Sequence, residues 1–291
     1  VPAVVFDAGA ATWGDGSTAG ARLVGELSAG NSLVGMTNAN SGVAFNGVKA
    51  LTNGNYVVSS LNFDSGTLNN PGAVTWGNGA VGTVGAVTNL NSLFGTTAND
   101  NVGLGPGAGV VDGVTALANG NYVVISRLWN GSRGAATWGD GSTAGPRLFG
   151  AVSASNSLVG GATNAGVGAG GVTALANGNY VVDGFQTFTG GSATWGSGTT
   201  GISGTVSLLN SLVGRGGISG LSNGNFVLNN NLAANGATPA AGLVYVVVPP
   251  GGGGFTNPLT FADNAAGTTT ITPAQITTIT NAGTAVTLQA N

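Results

Sequence analysis

Four tryptophans recur in one local setting. Trp13 lies in Ala11-Thr12-Trp13-Gly14-Asp15-Gly16, Trp76 in AVTWGNG, Trp138 in AATWGDG and Trp195 in SATWGSG. An indole offers a large apolar face with one polar edge, the kind of surface on which the apolar side of a sugar ring stacks. Trp13, Trp76, Trp138 and Trp195 are therefore candidates for equivalent glycan-binding sites, one per repeat. The competing expectation is structural, and we prefer it: a repeat array must bury the contact between one repeat and the next, and a large residue held in register does this. Trp129 stands outside this register in a loop, so exposure there would point more directly to a ligand.

Other chemistry is sparse. The turns Asp15-Gly16-Ser17 and Asp140-Gly141-Ser142 each carry one carboxylate, and Asn78 and Ser197 replace it in the other copies. Calcium takes six to eight oxygens, usually with several carboxylates, so these read as turn residues. Asn99-Asp100-Asn101 with Asp112 is slightly richer and still falls short. The chain has no His and no Cys, which removes the commonest general base, the commonest metal ligand and any disulfide. No pair of carboxylates recurs at a useful spacing for glycoside hydrolysis, and no Ser has a neighbouring base to activate it. We expect no catalytic residues, no metal and no cofactor, and read the chain as a non-enzyme. Six basic residues against nine acidic ones form no patch to neutralise phosphates, so nucleic acid is not an expected partner. The longest apolar run, Leu243–Val248, is six residues, far short of a membrane-spanning helix.

The elements that must position these residues are hairpins. GVTALANGNYVV at Gly113–Val124 recurs as Gly47–Val58, Gly171–Val182 and, more loosely, Gly217–Leu228 (GISGLSNGNFVL). An Asn-Gly step between two β-prone runs predicts a two-residue type I′ turn with φ > 0 at both central positions. A third unit, NSL, follows each TWG strand; Asn31, Asn91, Asn156 and Asn210 are expected to bond backbone groups at a bend. Naming the hairpin strands A and B, the TWG strand C and the NSL strand D, the order is C-D, then A-B-C-D three times, then A-B. The tryptophans are 63, 62 and 57 residues apart, so length varies only in Gly/Asn/Ser-rich joins. With 42% hydrophobic residues, 56 Gly and few helix formers, the fold class is all-β, built of repeats of four antiparallel strands.

A period near 60 suits β-propeller blades. The N-terminal C-D pair and the C-terminal A-B pair would then complete a fourth blade and close a ring, removing exposed sheet edges. An elongated β-solenoid is the alternative. The domain reading is a four-repeat β domain over 1–248, comprising C-D strands 1–46, repeats 47–112, 113–170 and 171–216, and a last A-B hairpin 217–248. A Pro/Gly linker at 249–254 and the start of a β-helical or extended segment at 255–291 follow. The chain begins at Val1 rather than Met, which reads as a processed product or an excised piece.

The units GVTALANGNYVV (Gly113–Val124), AVTWGNG (Ala73–Gly79) and VSASNSLVG (Val152–Gly160), with the tail Phe261–Asn291, resemble repeats of large bacterial filamentous-haemagglutinin-like surface proteins. The resemblance implies secretion, an extracellular or cell-surface location and a role as adhesin or filament. It also implies other copies of the same chain and surface glycans as partners. The remaining reading is a lectin-like propeller with one sugar site per repeat.

Overall fold

The computed structural model describes residues 9–17, 20, 23–35, 41–107, 112–185, 191–213, 217–230, 243–247 and 259–262. The described residues are almost entirely strand and turn. The N-terminal C-D pair is β1 (Ala10–Ala11) and β2 (Leu33–Val34). The next repeat is β3 (Val48–Ala50), β4 (Tyr56–Ser60), β5 (Ala73–Gly77), β6 (Gly85–Ala86) and β7 (Ser92–Phe94). Its successor is β8 (Val114–Ala116), β9 (Tyr122–Ser126), β10 (Ala135–Gly139), β11 (Gly150–Ala151) and β12 (Ser157–Val159). Then come β13 (Val167–Ala174), β14 (Tyr180–Gly184), β15 (Ser192–Gly196), β16 (Gly204–Thr205) and β17 (Leu212–Val213). The last unit is β18 (Ile218–Gly220), β19 (Phe226–Asn230), β20 (Leu243–Val247) and β21 (Leu259–Ala262).

Each full repeat is an antiparallel A-B-C-D sheet, as in the order β3-β4-β5-β7. A strand not anticipated from the sequence joins neighbouring repeats. The short segment between C and D of one repeat pairs in parallel with strand D of the repeat before it: β6 on β2, β11 on β7 and β16 on β12. Antiparallel units are thus stitched in chain order by parallel edge strands, and no sheet closes into a barrel.

The hairpin turns differ from the expected type I′. Ala50 pairs with Tyr56, Leu51 N–H bonds Asn55 O at 2.8 Å and Gly54 N–H bonds Leu51 O at 3.1 Å. The loop is therefore three residues long, and only its glycine has positive φ: Gly54 at 86°, Gly120 at 89°, Gly178 at 85° and Gly224 at 86°. This is the three-residue form, a turn followed by one left-handed residue. The physical reason lies in Asn53. Its side chain accepts the Asn55 N–H at 3.1 Å and donates outward to the next repeat, which ties it to the turn's flank.

Successive sheets pack face to face. Along β4 and β5, Val57, Val74 and Trp76 enter the core shared with the following repeat. Val58 and Ala73 enter the core shared with the preceding one. Alternation of period two on a sheet buried on both faces explains why B and C are apolar almost throughout. Tyr122 and Tyr180 lie across the sheet from Gly139 and Gly196, and those glycines must stay bare. A Cβ on Gly139 would stand 2.3 Å from Tyr122 Cζ, and one on Gly196 would stand 2.2 Å from Tyr180 Cζ. The glycine after Trp76, Trp138 and Trp195 is in each case the seat of a tyrosine ring.

Among the described residues the N-terminal C-D pair and the C-terminal A-B pair do not share a sheet as the closed-ring expectation requires. β1 and β2 share a sheet with β6, whereas the hairpin β18–β19 is extended by β20 and β21. Leu243–Val247 is itself an apolar, β-prone run, and it takes the strand C position locally. Most of the segment 255–291, and the linker 249–254, lie outside the described residues.

The tyrosine seat generates a test. Gly139→Ala should destabilise the protein by about 1–3 kcal/mol through overpacking against Tyr122, read as a lower urea midpoint. Restoration by Gly139→Ala combined with Tyr122→Leu would confirm the contact; an unchanged midpoint in the single variant would refute it.

Candidate functional site

Three of the four repeated tryptophans converge on one kind of atom, a glycine carbonyl in the next repeat. Trp13 Nε1 donates to Gly79 O at 2.9 Å, Trp76 Nε1 to Gly141 O at 3.0 Å and Trp138 Nε1 to Gly198 O at 3.1 Å. The acceptor is always the second glycine of the following copy's Gly-x-Gly turn. The hairpin asparagines reach the same atoms. Gly141 O accepts Asn53 Nδ2 at 2.8 Å and Asn55 Nδ2 at 2.7 Å. Gly198 O accepts Asn119 Nδ2 and Asn121 Nδ2, each at 2.7 Å. A carbonyl oxygen has two lone pairs, so three donors share each of these two oxygens.

The glycine N–H groups are held from the other side. Gly79 N–H donates to Asn55 Oδ1 at 3.0 Å, Gly141 N–H to Asn121 Oδ1 at 3.0 Å and Gly198 N–H to Asn179 Oδ1 at 2.8 Å. Asn55 and Asn121, each the second Asn of an NGN, therefore bond their own repeat through oxygen and the next repeat through nitrogen. Asn55, Gly141, Asn121, Gly198 and Asn179 form one relay along the array.

Burial differs among the indoles, and Trp13 and Trp138 are only partly buried. Trp76 is buried and the Arg147 guanidinium carbon stands 3.4 Å above its ring centroid. That guanidinium is fixed by Ser142 O at 2.6 Å and Thr143 O at 3.1 Å, a geometry suited to cation–π attraction. Backbone of the next repeat comes close to Trp13 and Trp138: a Cβ on Gly82 would lie 2.8 Å from Trp13 Cβ, and one on Gly201 would lie 2.7 Å from Trp138 Cβ. Trp195 is buried too, but its Nε1 has no partner. Trp129 opens a tight turn in which Asn130, Gly131 and Ser132 all have positive φ; it is buried among residues of two repeats, and its Nε1 is likewise unpartnered.

The NSL asparagines make the expected bends in identical form. Asn91 Oδ1 accepts Thr88 N–H at 2.8 Å and Nδ2 donates to Ala86 O at 2.9 Å. Asn31, Asn156 and Asn210 repeat both bonds. The neighbouring serine meets the TWG threonine across the sheet: Thr75–Ser92 at 2.6 Å, with Thr12–Ser32, Thr137–Ser157 and Thr194–Ser211 each at 2.7 Å. The recurring Thr and Ser were the available signal for this pair, and for Arg147 there was none.

The acidic residues are dispersed. Asp15 accepts Ser17 N–H at 2.9 Å, and that bond lowers its carboxyl below the ordinary range. Asp140 accepts Ser142 N–H at 2.7 Å. Asp112 pairs with Lys49 at 2.9 Å. Asp100 is buried and takes backbone N–H bonds from Thr96 at 2.6 Å, Thr97 at 2.8 Å and Asn130 at 2.7 Å, tying a loop of one repeat to the next. Among the described residues no three His, Cys, Asp or Glu side chains cluster as metal ligands, and no helix is long and apolar enough to cross a membrane. Burial pushes the Tyr122 and Tyr180 phenols far above the ordinary tyrosine range, so both stay neutral.

Four copies of a family described as a repeat of unknown function (DUF5650) match residues 3–44, 50–104, 116–169 and 174–217, well over half of the chain. The chain belongs to that family. No curated protein matches it.

The relay predicts an inequality between two like substitutions. Trp76→Phe and Trp195→Phe remove the same atoms, but only the first breaks a hydrogen bond and weakens a cation–π contact. Trp76→Phe should cost about 1–2 kcal/mol more than Trp195→Phe, measured as the difference in urea unfolding free energy. Equal losses would contradict it.

Proposed function

We propose that this DUF5650 repeat chain is a structural and adhesive module of a secreted bacterial surface protein, a rigid array whose conserved-looking chemistry is directed inward. One observation carries this reading. Trp13, Trp76 and Trp138 each donate their indole N–H to the next repeat, Arg147 lies over the Trp76 ring, and Gly82 and Gly201 pack close to Trp13 and Trp138. Residues that recur at every repeat are thereby used in holding repeats together, which is what an array that projects or assembles requires. The burial of Trp76 and Trp195 weighs against one sugar-stacking site per tryptophan. Absence of Cys, 5% charged residues and richness in Gly, Thr and Asn, with the resemblance to filamentous-haemagglutinin-like repeats, support a location outside the cell.

Two measurements test the proposal. Antibody raised against the repeats should label intact, unpermeabilised cells of the source bacterium, and label seen only after lysis would overturn the location. Tryptophan emission of the folded chain should be blue-shifted, shielded from acrylamide and insensitive to added saccharides. Quenching equal to that of the urea-unfolded chain, or a shift with sugar, would favour a lectin.

A further inference from the structure

We propose that the loop between β9 and β10 takes the carboxylate of an acidic saccharide at Arg127 and Arg133. The proposal rests on the adhesive reading and gives it a ligand class.

Among the described residues four side chains carry positive charge: Lys49, Arg127, Arg133 and Arg147. Two of them have partners. Lys49 pairs with Asp112 at 2.9 Å, and Arg147 donates to Ser142 O and Thr143 O above the Trp76 ring. Arg127 and Arg133 differ. Both are half-buried, and both have a buried Nε with no hydrogen-bond partner. Neither guanidinium makes an ion pair or a hydrogen bond within the chain. A buried donor left unmade costs free energy, and native structures contain few of them. Asp100 bonds the Asn130 N–H of this same loop, but its two oxygens are shared among Thr96, Thr97 and Asn130, and it pairs with neither arginine.

The two arginines leave the sheet side by side. Ser126 is paired with Ala135 at the end of the β9–β10 ladder. Arg127 is the next residue on one strand, and Arg133 lies two residues back on the other. Like charges this close across a strand pair repel. The fold does not require them. Ser60 and Ala73 are paired in the same way in the preceding repeat, and the corresponding places there hold Leu61 and Pro71, both buried. In the following repeat, where Gly184 pairs with Ser192, Phe185 has the place of Arg127. Charge therefore enters where the neighbouring repeats use apolar residues. The loop that carries it is held firmly. Ser132 N–H bonds Leu128 O at 3.0 Å and Gly134 N–H bonds Trp129 O at 3.2 Å. Asn164, Gly166 and Val167 donate their N–H groups to Gly131 O at 3.1 Å, Ser132 O at 3.0 Å and Arg133 O at 3.0 Å. A site fixed before binding loses little freedom on binding.

An oxyanion relieves the repulsion and supplies the missing partner. The guanidinium fork matches a carboxylate in shape, and partial burial makes that pairing stronger than at a fully hydrated surface. The surrounding groups are neutral hydroxyls and amides. Thr163 and Asn164 are exposed, and Gly131 lies beside Thr163, where a Cβ would stand 3.5 Å from Thr163 Cγ2. Asn130 and Ser132 belong to the same turn and are half-buried. Such groups suit the hydroxyls of a sugar. Two free positive charges on a chain of net charge −3 fit a polymer with one carboxylate per sugar unit; they are too few for the close-set phosphates of nucleic acid.

The test passes the full chain at low salt over immobilised polygalacturonate, alginate and hyaluronate, with dextran as the neutral matrix. Retention on at least one acidic polymer, lost as salt rises and absent on dextran, is the expected result. Arg127→Gln combined with Arg133→Gln should weaken retention about tenfold with no fall in the urea midpoint, because it removes two unpaired like charges. The corresponding pair of Arg→Lys changes keeps the charge and should retain more than the Gln pair. Lys49→Gln removes a charge elsewhere and should leave retention as it was. No retention on any of the three polymers would overturn the site. So would full retention of the Gln pair, equal losses in the Gln and Lys pairs, or a loss just as large with Lys49→Gln. Release by free acetate as readily as by galacturonate oligomers would leave a bare anion hole and overturn the saccharide. Stronger retention on double-stranded DNA than on every acidic polysaccharide would overturn it in favour of phosphate. Antibody labelling of intact cells keeps the adhesive reading separate: surface label without retention rejects this site alone, and arginine-dependent retention without surface label rejects the location alone.

Discussion

The structure depends on a carbonyl oxygen that belongs to one repeat and is claimed by another. At Gly141 and Gly198 three donors from the preceding repeat meet on that atom. The oxygen lies in a part-buried setting, where hydrogen bonds are stronger than in water and an unmade one costs more. A glycine is needed there because nothing else fits: a Cβ on Gly141 would come within 1.9 Å of Gly120 O, and one on Gly198 within 1.8 Å of Gly178 O. The turn glycine of one hairpin and the Gly-x-Gly turn behind it are in direct backbone contact, so three separate motifs of the repeat are constrained by one point.

That constraint gives the array a direction. Each repeat offers its successor a set of N–H donors and an open D edge, and offers its predecessor a carbonyl and an edge strand. Apolar packing follows the same polarity, because the TWG tryptophan faces forward and the NGNY tyrosine faces back. Nearest-neighbour contacts of this kind make stability additive along the chain. They explain how a protein with 5% charged residues keeps its repeats in register: neutral amide and indole groups, each with a fixed geometry, select the neighbour that charge would otherwise select.

Much of this was legible in the sequence. The four-strand repeat, the C-D start and the role of the NSL asparagines all follow from periodicity and turn chemistry. What could not be read was anything carried by backbone rather than by residue type. The edge strands β6, β11 and β16 are two residues long and have no apolar alternation, so no pattern marks them. The turn type was misjudged because Asn-Gly is equally good for a two-residue loop and for the last two places of a three-residue loop. The choice was made by the partners of Asn53, which are 67 and 88 residues away.

The acidic residues show the same limit from the other side. Asp15 and Asp140 share a motif and both form the same turn, whereas Asp100 shares a motif with no other repeat and is the carboxylate that links two of them. It takes the place that Ala165 has in the next repeat, as the matching approaches to Gly95 and Gly160 show. A buried carboxylate with this many donors is stable only while all of them are held together. Its loop and the turn at Asn130 are therefore fixed jointly, and Trp129 is pinned beside them in the core between the same two repeats. Repetition accounts for the common junction; departures from repetition, Asp100 and Arg147 among them, make that one junction tighter than its neighbours.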